Sequence, residues 1–462
     1  MRKIKSFVII QVLFLALCFG YLYGEPQKIA DEPGKEAAVL LFSDIHFDPF
    51  ADGAAKELEK TDISGWSTVL ESKKDGKFPE YGRDTNYSLL SSAIGEISRV
   101  SAGARCAIIG GDIICHNFEA KYSLSGCDAG LCPLFALKTI EFVSLMLKRA
   151  MPGIPVYYVT GNNDSDSGDY NIIPGGAMLG ALSSVYDTVS TDKTASRDFK
   201  KGGYYELPFP VDDKSELIVL NDIFWHKKHK RADDARDAPG AAEMKWFAGE
   251  LDAAAKNGKS VFVAMHIPPG IDAYLASKDR NCHGPDGFLD PVYNREFIGL
   301  IYGHREVVKS IFAGHTHFDD FRVFSDAGKP FATVSIIPSI SPVHGNNPAF
   351  ETALLESNGE IGDRTVYNLP GFGGKDAETN AKWALEYTFC GAYGCHDLSP
   401  ANLYGVAESI VKNPDMFEKY ITFYTAGNTL LSSIIKQQSR IYECAMTSGG
   451  FDEYAGCACS FK

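Results

Sequence analysis

The chain has 462 residues and is 45% hydrophobic, so it can bury a substantial core, and its length suits two domains or one large domain with an appendage. That composition excludes a disordered or fibrous chain. A formal charge of −14 argues against general nucleic-acid binding, which needs clustered Lys and Arg, so any anionic substrate must be attracted locally. The N-terminus carries Arg2, Lys3 and Lys5, an apolar run from Phe7 to about Phe19, and small residues at Gly20 and Gly24. This pattern is expected to be a secretory signal peptide over residues 1–24, since its apolar core falls short of the roughly 20 residues of a spanning helix. Bulky Leu17 stands where a lipobox at Cys18 would want a small residue. No second apolar segment is expected to span a bilayer, and residues 25–36 read as a loose polar stretch.

Five apolar runs then end in metal-ligand chemistry. AAVLLFSDIHF stops at Asp44 and His46, and CAIIGGDIICHN stops at Gly110, Gly111, Asp112 and His116. PVYYVTGNND ends in Gly161, Asn162, Asn163 and Asp164, SVFVAMHIPPG ends in His266, and SIFAGHTH ends in Gly314, His315 and His317. Continuous apolar runs of this length suit buried strands, and on a continued strand His315 and His317 would share one face. Helical patterns in NYSLLSSAIGEISRV, PLFALKTIEFVSLMLKRA and AAEMKWFAGELDAAAK separate the runs. Strands alternating with helices imply an α/β fold with ligands gathered at the carboxyl ends of the strands. After His317, FRVFSD, FATVSIIP, FETALLES and RTVYNLP read as consecutive strands of a second, more antiparallel sheet.

The glycines beside these ligands suit sharp turns and close backbone approach. A carboxylate oxygen can bridge two cations, which explains an aspartate at 112, and mixed N/O ligands suit zinc. His226 and His229 lie in HKKHKRADDARD, which reads as a solvated charge run, while His283 and His344 are candidates to line a cleft. Tyr87 and Tyr170 read as core or rim residues, and Asn86, in NYS, is a candidate glycosylation acceptor. GFGGKD at 371–376 reads as a linker, with WALEYTF, PANLYGVAESIVKN and LLSSIIKQQSR beyond it as helices. Without Cys18, ten of the eleven cysteines remain, several close together: Cys127 with Cys132, Cys390 with Cys395, and Cys444 with Cys457 and Cys459. The even number in an exported chain suggests disulfides, with Cys106 a buried thiol as an alternative.

The ordered series of Asp44/His46, Asp112/His116, Gly161–Asn163, His266 and His315/His317 resembles the calcineurin-like metallophosphoesterases over roughly residues 37–357. The GDxxxH spacing, the IPPG after His266, PSISPVHGNNPAF and the cysteine-containing tail resemble the acid sphingomyelinase-like phosphodiesterases. The resemblance implies an α/β two-sheet sandwich flanked by helices, with a catalytic domain at 37–370 and a disulfide-stapled helical C-terminal subdomain at 377–462. It implies two divalent metal ions, zinc first with manganese or iron as alternatives. Asp44, His46, Asp112 and His317 would hold one, and Asp112, Asn162, His266 and His315 the other. Such a pair holds a bridging water, lowers its pKa and clamps a phosphoryl oxygen for in-line displacement.

Many relatives carry a histidine where this chain has Asn163, which cannot titrate, so the resemblance leaves His116 as the candidate proton donor. The implied function is a secreted or periplasmic, monomeric phosphodiesterase acting on small soluble esters such as nucleotides or phosphocholine-type compounds. An endopolyphosphatase, which shares the GNND sequence, or a phosphomonoesterase is the alternative. A sphingomyelinase is expected less, because the sequence shows no saposin-like module ahead of the catalytic domain. A decayed, non-catalytic binding protein is also disfavoured, because all seven candidate ligands are present.

Overall fold

The computed structural model describes residues 37–189, 193–229, 238–279, 287–356, 359–374 and 381–459. The expected signal peptide, His283 and part of the 371–376 linker lie outside them. Twelve strands form two six-stranded sheets. They are β1 (Ala37–Phe42), β2 (Ala104–Ile109), β3 (Val156–Tyr158), β4 (Tyr205–Pro208), β5 (Ser215–Val219), β6 (Ser260–Ala264), β7 (Val308–Ala313), β8 (Asp320–Asp326), β9 (Lys329–Ile336), β10 (Ala349–Leu355), β11 (Ile361–Asn368) and β12 (Ala384–Thr388). The first sheet runs β12-β11-β10-β1-β2-β3 and the second β4-β5-β6-β7-β9-β8. β1, β2 and β3 are parallel, as are β5, β6 and β7, so their carboxyl ends face one cleft.

All six residues of β1 are buried, and such a strand needs a partner on both edges. It has β2 on one side and β10 on the other. This demand corrects the expectation of a separate antiparallel sheet after His317. β8 and β9 complete the second sheet, whereas β10 and β11 cross to the first. The crossing loop is tied to the end of β1, with Ile340 and Ser341 donating backbone bonds to the carbonyls of Ser43 and Asp44. The three helical patterns between strands form helices at Tyr87–Val100, Cys132–Ala150 and Pro239–Asn257. WALEYTF is not helical, because Ala384–Thr388 pairs with β11 and extends the first sheet. Its helix-compatible pattern loses to strand pairing.

One described stretch, Ala129–Ala150, is long and apolar enough by composition to cross a membrane, which the sequence reading did not expect. Phe135, Ile140, Phe142, Val143 and Leu147 of this stretch pack in the core. Asn86 is not available as a glycosylation acceptor in this fold. Its side chain accepts from Leu89 N as a helix cap, donates to Lys77 O and is buried. Two near-neighbour disulfides form, Cys390–Cys395 and Cys444–Cys457, and Cys459 is also disulfide-bonded. Cys127 and Cys132 are free thiols, and so is buried Cys106.

The tail is bound to the catalytic sheets through buried polar groups. Tyr387 donates to Asp319 at 2.6 Å, and Tyr420 donates to Asp320 at 2.7 Å. Arg364 lies between Asp319 and Glu351. The turn after the helix Pro414–Tyr424 holds two loops at once. Asp319 N donates to Tyr424 O, while Asn347 donates to Thr425 O and Ala426 O. Because a buried carboxylate that loses a donor keeps its desolvation penalty, Tyr387→Phe should lower stability by about 1–3 kcal/mol. Urea denaturation checks this, and an unchanged midpoint and slope would contradict it.

Candidate metal centre

Asp44 and His46 follow β1, Asp112 follows β2, Asn162 and Asn163 follow β3, His266 follows β6, and His315 and His317 follow β7. All the residues singled out as ligands therefore meet in one cleft. The histidine pair does not continue its strand, however. His315 and His317 have φ of 69° and 70°, and Asp44, His46 and Asp112 have φ of 50°, 45° and 54°. These are left-handed conformations that bulky residues rarely adopt, held by the surrounding bonds. The two imidazoles consequently serve different clusters: His317 lies with His46 and His116, and His315 with Asp112 and His266.

In the first cluster His46 Nε2 is 3.2 Å from His317 Nε2, 3.5 Å from Asp112 Oδ2 and 3.7 Å from Asp44 Oδ1. In the second, His266 Nε2 is 3.4 Å from Asp112 Oδ2 and 3.0 Å from Asn162 Oδ1. Asp112 Oδ2 thus belongs to both. Bonds of about 2.0–2.1 Å in a tetrahedral site separate ligand atoms by about 3.3 Å, so these spacings suit a cation at each cluster. Buried Asp44 Oδ1 has no hydrogen-bond partner, which fits the same purpose, while Asp44 Oδ2 accepts from Ser43 Oγ and His315 N.

Outer bonds orient these groups. His46 Nδ1 faces Ile114 O at 3.0 Å and His266 Nδ1 faces Gly110 O at 2.7 Å, which places a ring proton on Nδ1 and turns each Nε2 into its cluster as a candidate ligand. Asn162 Nδ2 donates to Asp169, turning its amide oxygen inward. Asn163 donates to both oxygens of Asp112, from its backbone N at 2.7 Å and its Nδ2 at 2.8 Å. Buried Asp164 accepts from Ile113, Ile114 and Gly161 backbone N–H groups and so joins the β2 and β3 loops. A Cβ at Gly161 would stand 2.1 Å from Asp112 Oδ1, and one at Gly314 2.1 Å from Ser43 Oγ. Only glycine lets these backbones approach so closely.

Charge is concentrated here on buried side chains. Burial alone would lower the His46 pKa, yet the neighbouring carboxylates of Asp44, Asp112 and Asp84 raise it to about 9. His266 behaves likewise, raised to about 10 against burial by Asp112. Burial would raise the Asp112 pKa, but His266 and His46 hold it far below the carboxylate range. His315 and His317 are pushed well below the usual value by burial and neighbouring imidazoles, although Asp112 lies near His315 and Asp44 Oδ1 is 3.4 Å from His317 Nε2.

His116 lies beside the first cluster, its ring stacked on His46 at 4.0 Å. Its Nδ1 is 2.8 Å from Asp84 Oδ1, and Lys121 Nζ bridges Asp84 and Asp48. Burial would raise the Asp84 pKa, but its bond to His116 and the nearby positive charges lower it to about 2. Asp84 and Lys121 had no motif to mark them. Asp222 did, because SELIVLND is a sixth apolar run ending in an acid at the cleft, and it accepts from His266 N and Ile267 N. His226 and His229 are not solvated, although Lys227 and Lys228 are exposed. His226 stacks on Tyr170 at 4.2 Å and His229 Nε2 meets Ile172 O at 3.1 Å, so their three-residue spacing turns both inward.

Residues 37–319 match the calcineurin-like phosphoesterase family profile. This chain belongs to that family. Residues 362–459 match the acid sphingomyelin phosphodiesterase C-terminal region, whose start falls inside β11 and thus ahead of the expected 377 boundary. Among curated relatives, a Homo sapiens acid sphingomyelinase-like phosphodiesterase 3b is 24% identical over 449 residues, covering 92% of this chain and 90% of that one. The Rattus norvegicus cyclic GMP-AMP phosphodiesterase SMPDL3A is 24% identical over 433 residues, covering 90% of each. A dimetal phosphatase structure from Danio rerio aligns with a TM-score of 0.45 at 14% identity, covering 72% of this chain and 95% of that one. The phosphoesterase is therefore a phosphoric ester hydrolase. Asp112→Asn in this phosphoesterase should reduce bound metal at both positions and lower turnover by more than about 100-fold. Elemental analysis with steady-state kinetics checks it, and full metal content with normal turnover would contradict the shared oxygen.

Proposed function

We propose that this phosphoesterase is an extracytoplasmic, binuclear-metal phosphodiesterase acting on small soluble esters, with nucleotides and phosphocholine-type esters as the classes to test. The position of Asp112 Oδ2, 3.5 Å from His46 Nε2 and 3.4 Å from His266 Nε2, carries the reading. Asp44, His46, Asp112 and His317 would hold one divalent ion, and Asp112, Asn162, His266 and His315 the other, zinc being favoured by the mixed N/O donors. When bound, the two ions supply Lewis acidity toward a phosphoryl oxygen and an acidified water. Tail disulfides and the 1–24 segment support export. The names of the relatives, one a cyclic GMP-AMP phosphodiesterase and one acid sphingomyelinase-like, support a diester over a monoester.

The chain's own groups account for the remaining chemistry. Asp44 and Asp112 are the anionic ligands, so the loaded cleft is locally positive in an otherwise acidic protein. Water would add to phosphorus opposite the leaving oxygen, the P–O bond breaking as His116 gives a proton from Nε2 to that oxygen, and the proton lost by the water would return to His116 through solvent. Asp84 holds His116 Nδ1, which leaves Nε2 to face the ester. Lys121, bonded to Asp84 and Asp48, keeps Asp84 in place. Asn163 does not titrate and fixes Asp112 instead.

General-acid help of roughly 10²–10⁴-fold is needed only by poor leaving groups. His116→Ala should therefore retain much of its activity on a nitrophenyl diester while losing far more on an alkyl or nucleoside ester, with metal content unchanged. Equal losses on both esters would remove His116 as the acid. Exhaustive chelation should abolish turnover and lower the melting temperature, since ligands that bind only the folded state stabilise it. A chelated protein with undiminished turnover would overturn the metal-dependent reading.

A further inference from the structure

His344 sits on the loop between β9 and β10, at the third position of a tight turn in which Gly345 N donates to Pro342 O. Gly345 has a φ of +89°, which closes the turn. His344 is exposed, while Ser341, Asn346 and Asn347 around it are buried. Its ring stands edge-on to His317 at 4.4 Å and to His116 at 6.0 Å, so it adds a fourth imidazole beside the three of the first cluster. His46 and His116 each have a nitrogen bonded to a protein oxygen. Among the described residues no hydrogen bond engages the His344 ring, and it is presented to the cleft with its polar atoms uncommitted.

The loop is built to hold that position. Asn428 Nδ2 donates to Gly345 O at 2.7 Å, and Gly82 N donates to Pro342 O at 3.2 Å. Asn346 Nδ2 lies within bonding distance of Ser341 O and Asn347 O, and Tyr81 donates to Asn347 Oδ1. The loop backbone that carries the ring is therefore ordered before any ligand arrives, which limits the ordering penalty on binding. Resting on the functional reading above, we propose that His344 is a catalytic residue that hydrogen-bonds an oxygen of the phosphoester on the His317 side of the cleft. A neutral imidazole carries one N–H donor, so the contact needs no change of protonation. Its acceptor is an anionic phosphoryl oxygen, the kind of partner that makes a hydrogen bond strong.

The test separates the donor from the ring. His344→Phe keeps the edge-on packing against His317 and removes the N–H, and His344→Gln restores an N–H on a side chain of similar reach. Inorganic phosphate binding to the zinc-loaded protein is measured by calorimetry, alongside kcat/KM on a nitrophenyl diester and metal content. The expected result is a roughly 10- to 100-fold weakening of phosphate binding and a comparable fall in kcat/KM for His344→Phe, with substantial recovery in His344→Gln and full metal in both. Phosphate affinity and kcat/KM equal to wild type in His344→Phe would overturn the role of His344 and leave the functional reading standing. Metal loss in proportion to activity loss would also overturn it, because His344 would then act only by supporting His317. A zinc-loaded wild type that neither binds phosphate nor cleaves the ester overturns both proposals.

Discussion

One carboxylate oxygen has to lie within reach of two imidazole clusters that would otherwise repel or protonate one another. Asp112 Oδ2 meets this constraint, and the neighbouring backbone bends to allow it. Asp44, His46, Asp112, His315 and His317 all take left-handed conformations, each of which costs on the order of 1 kcal/mol or more. The strain is tolerated because each residue follows a buried parallel strand and is tied by backbone bonds to a neighbour. Asp44 N donates to Gly111 O, His46 N to Asp112 O and Gly314 N to His266 O. The rigid sheets over-determine the loops, and the loops hold geometry that isolated residues would not adopt.

The sequence revealed the site better than the fold. Apolar runs ending in Asp44, Asp112, Asn162, His266 and His315 were legible because a buried parallel strand leaves a continuous signal and the ligands follow it directly. The conformation of the ligands was not legible, since the period-two rule placed His315 and His317 on one strand face whereas positive φ sends them to different clusters. Sheet membership was hidden too: nothing local in FETALLES says that it must serve the second edge of β1. Asp84, Lys121 and His226 act through contacts distant in sequence, with Asp84 thirty-two positions from His116, and no spacing rule reaches that far.

The C-terminal region is part of the site's support. Asp319 and Asp320 directly follow the His317 loop, and Tyr387 and Tyr420 bond them. Phe318 stacks on Tyr424 at 4.5 Å, and the next few residues hold Asn347 in the loop that presents His344. β12 also closes the edge of the first sheet. Burial raises the Asp319 pKa to about 6 even with Arg364 and Tyr387 beside it, so this junction is costly unless its donors stay in place. The tail and the metal-ligand loop are therefore expected to order together.

Asn163 makes the two flanks of the cleft unequal. By donating to both oxygens of Asp112, it restricts the rotation of that carboxylate, as the proposed sharing between two ions would need. An imidazole side chain on this backbone could not supply the same primary-amide donor. The consequence is that the flank of His266 and His315 is lined by groups already engaged, Asn162 with Asp169 and His226 with Tyr170. On the other flank lie His116, whose ring engages Asp84 through Nδ1 alone, and His344, whose ring stands edge-on to His317. An ester bound across the cleft would thus be held by metal and backbone geometry at one end and by hydrogen-bonding side chains at the other. On the proposed role of His116, the departing group would be directed to that end.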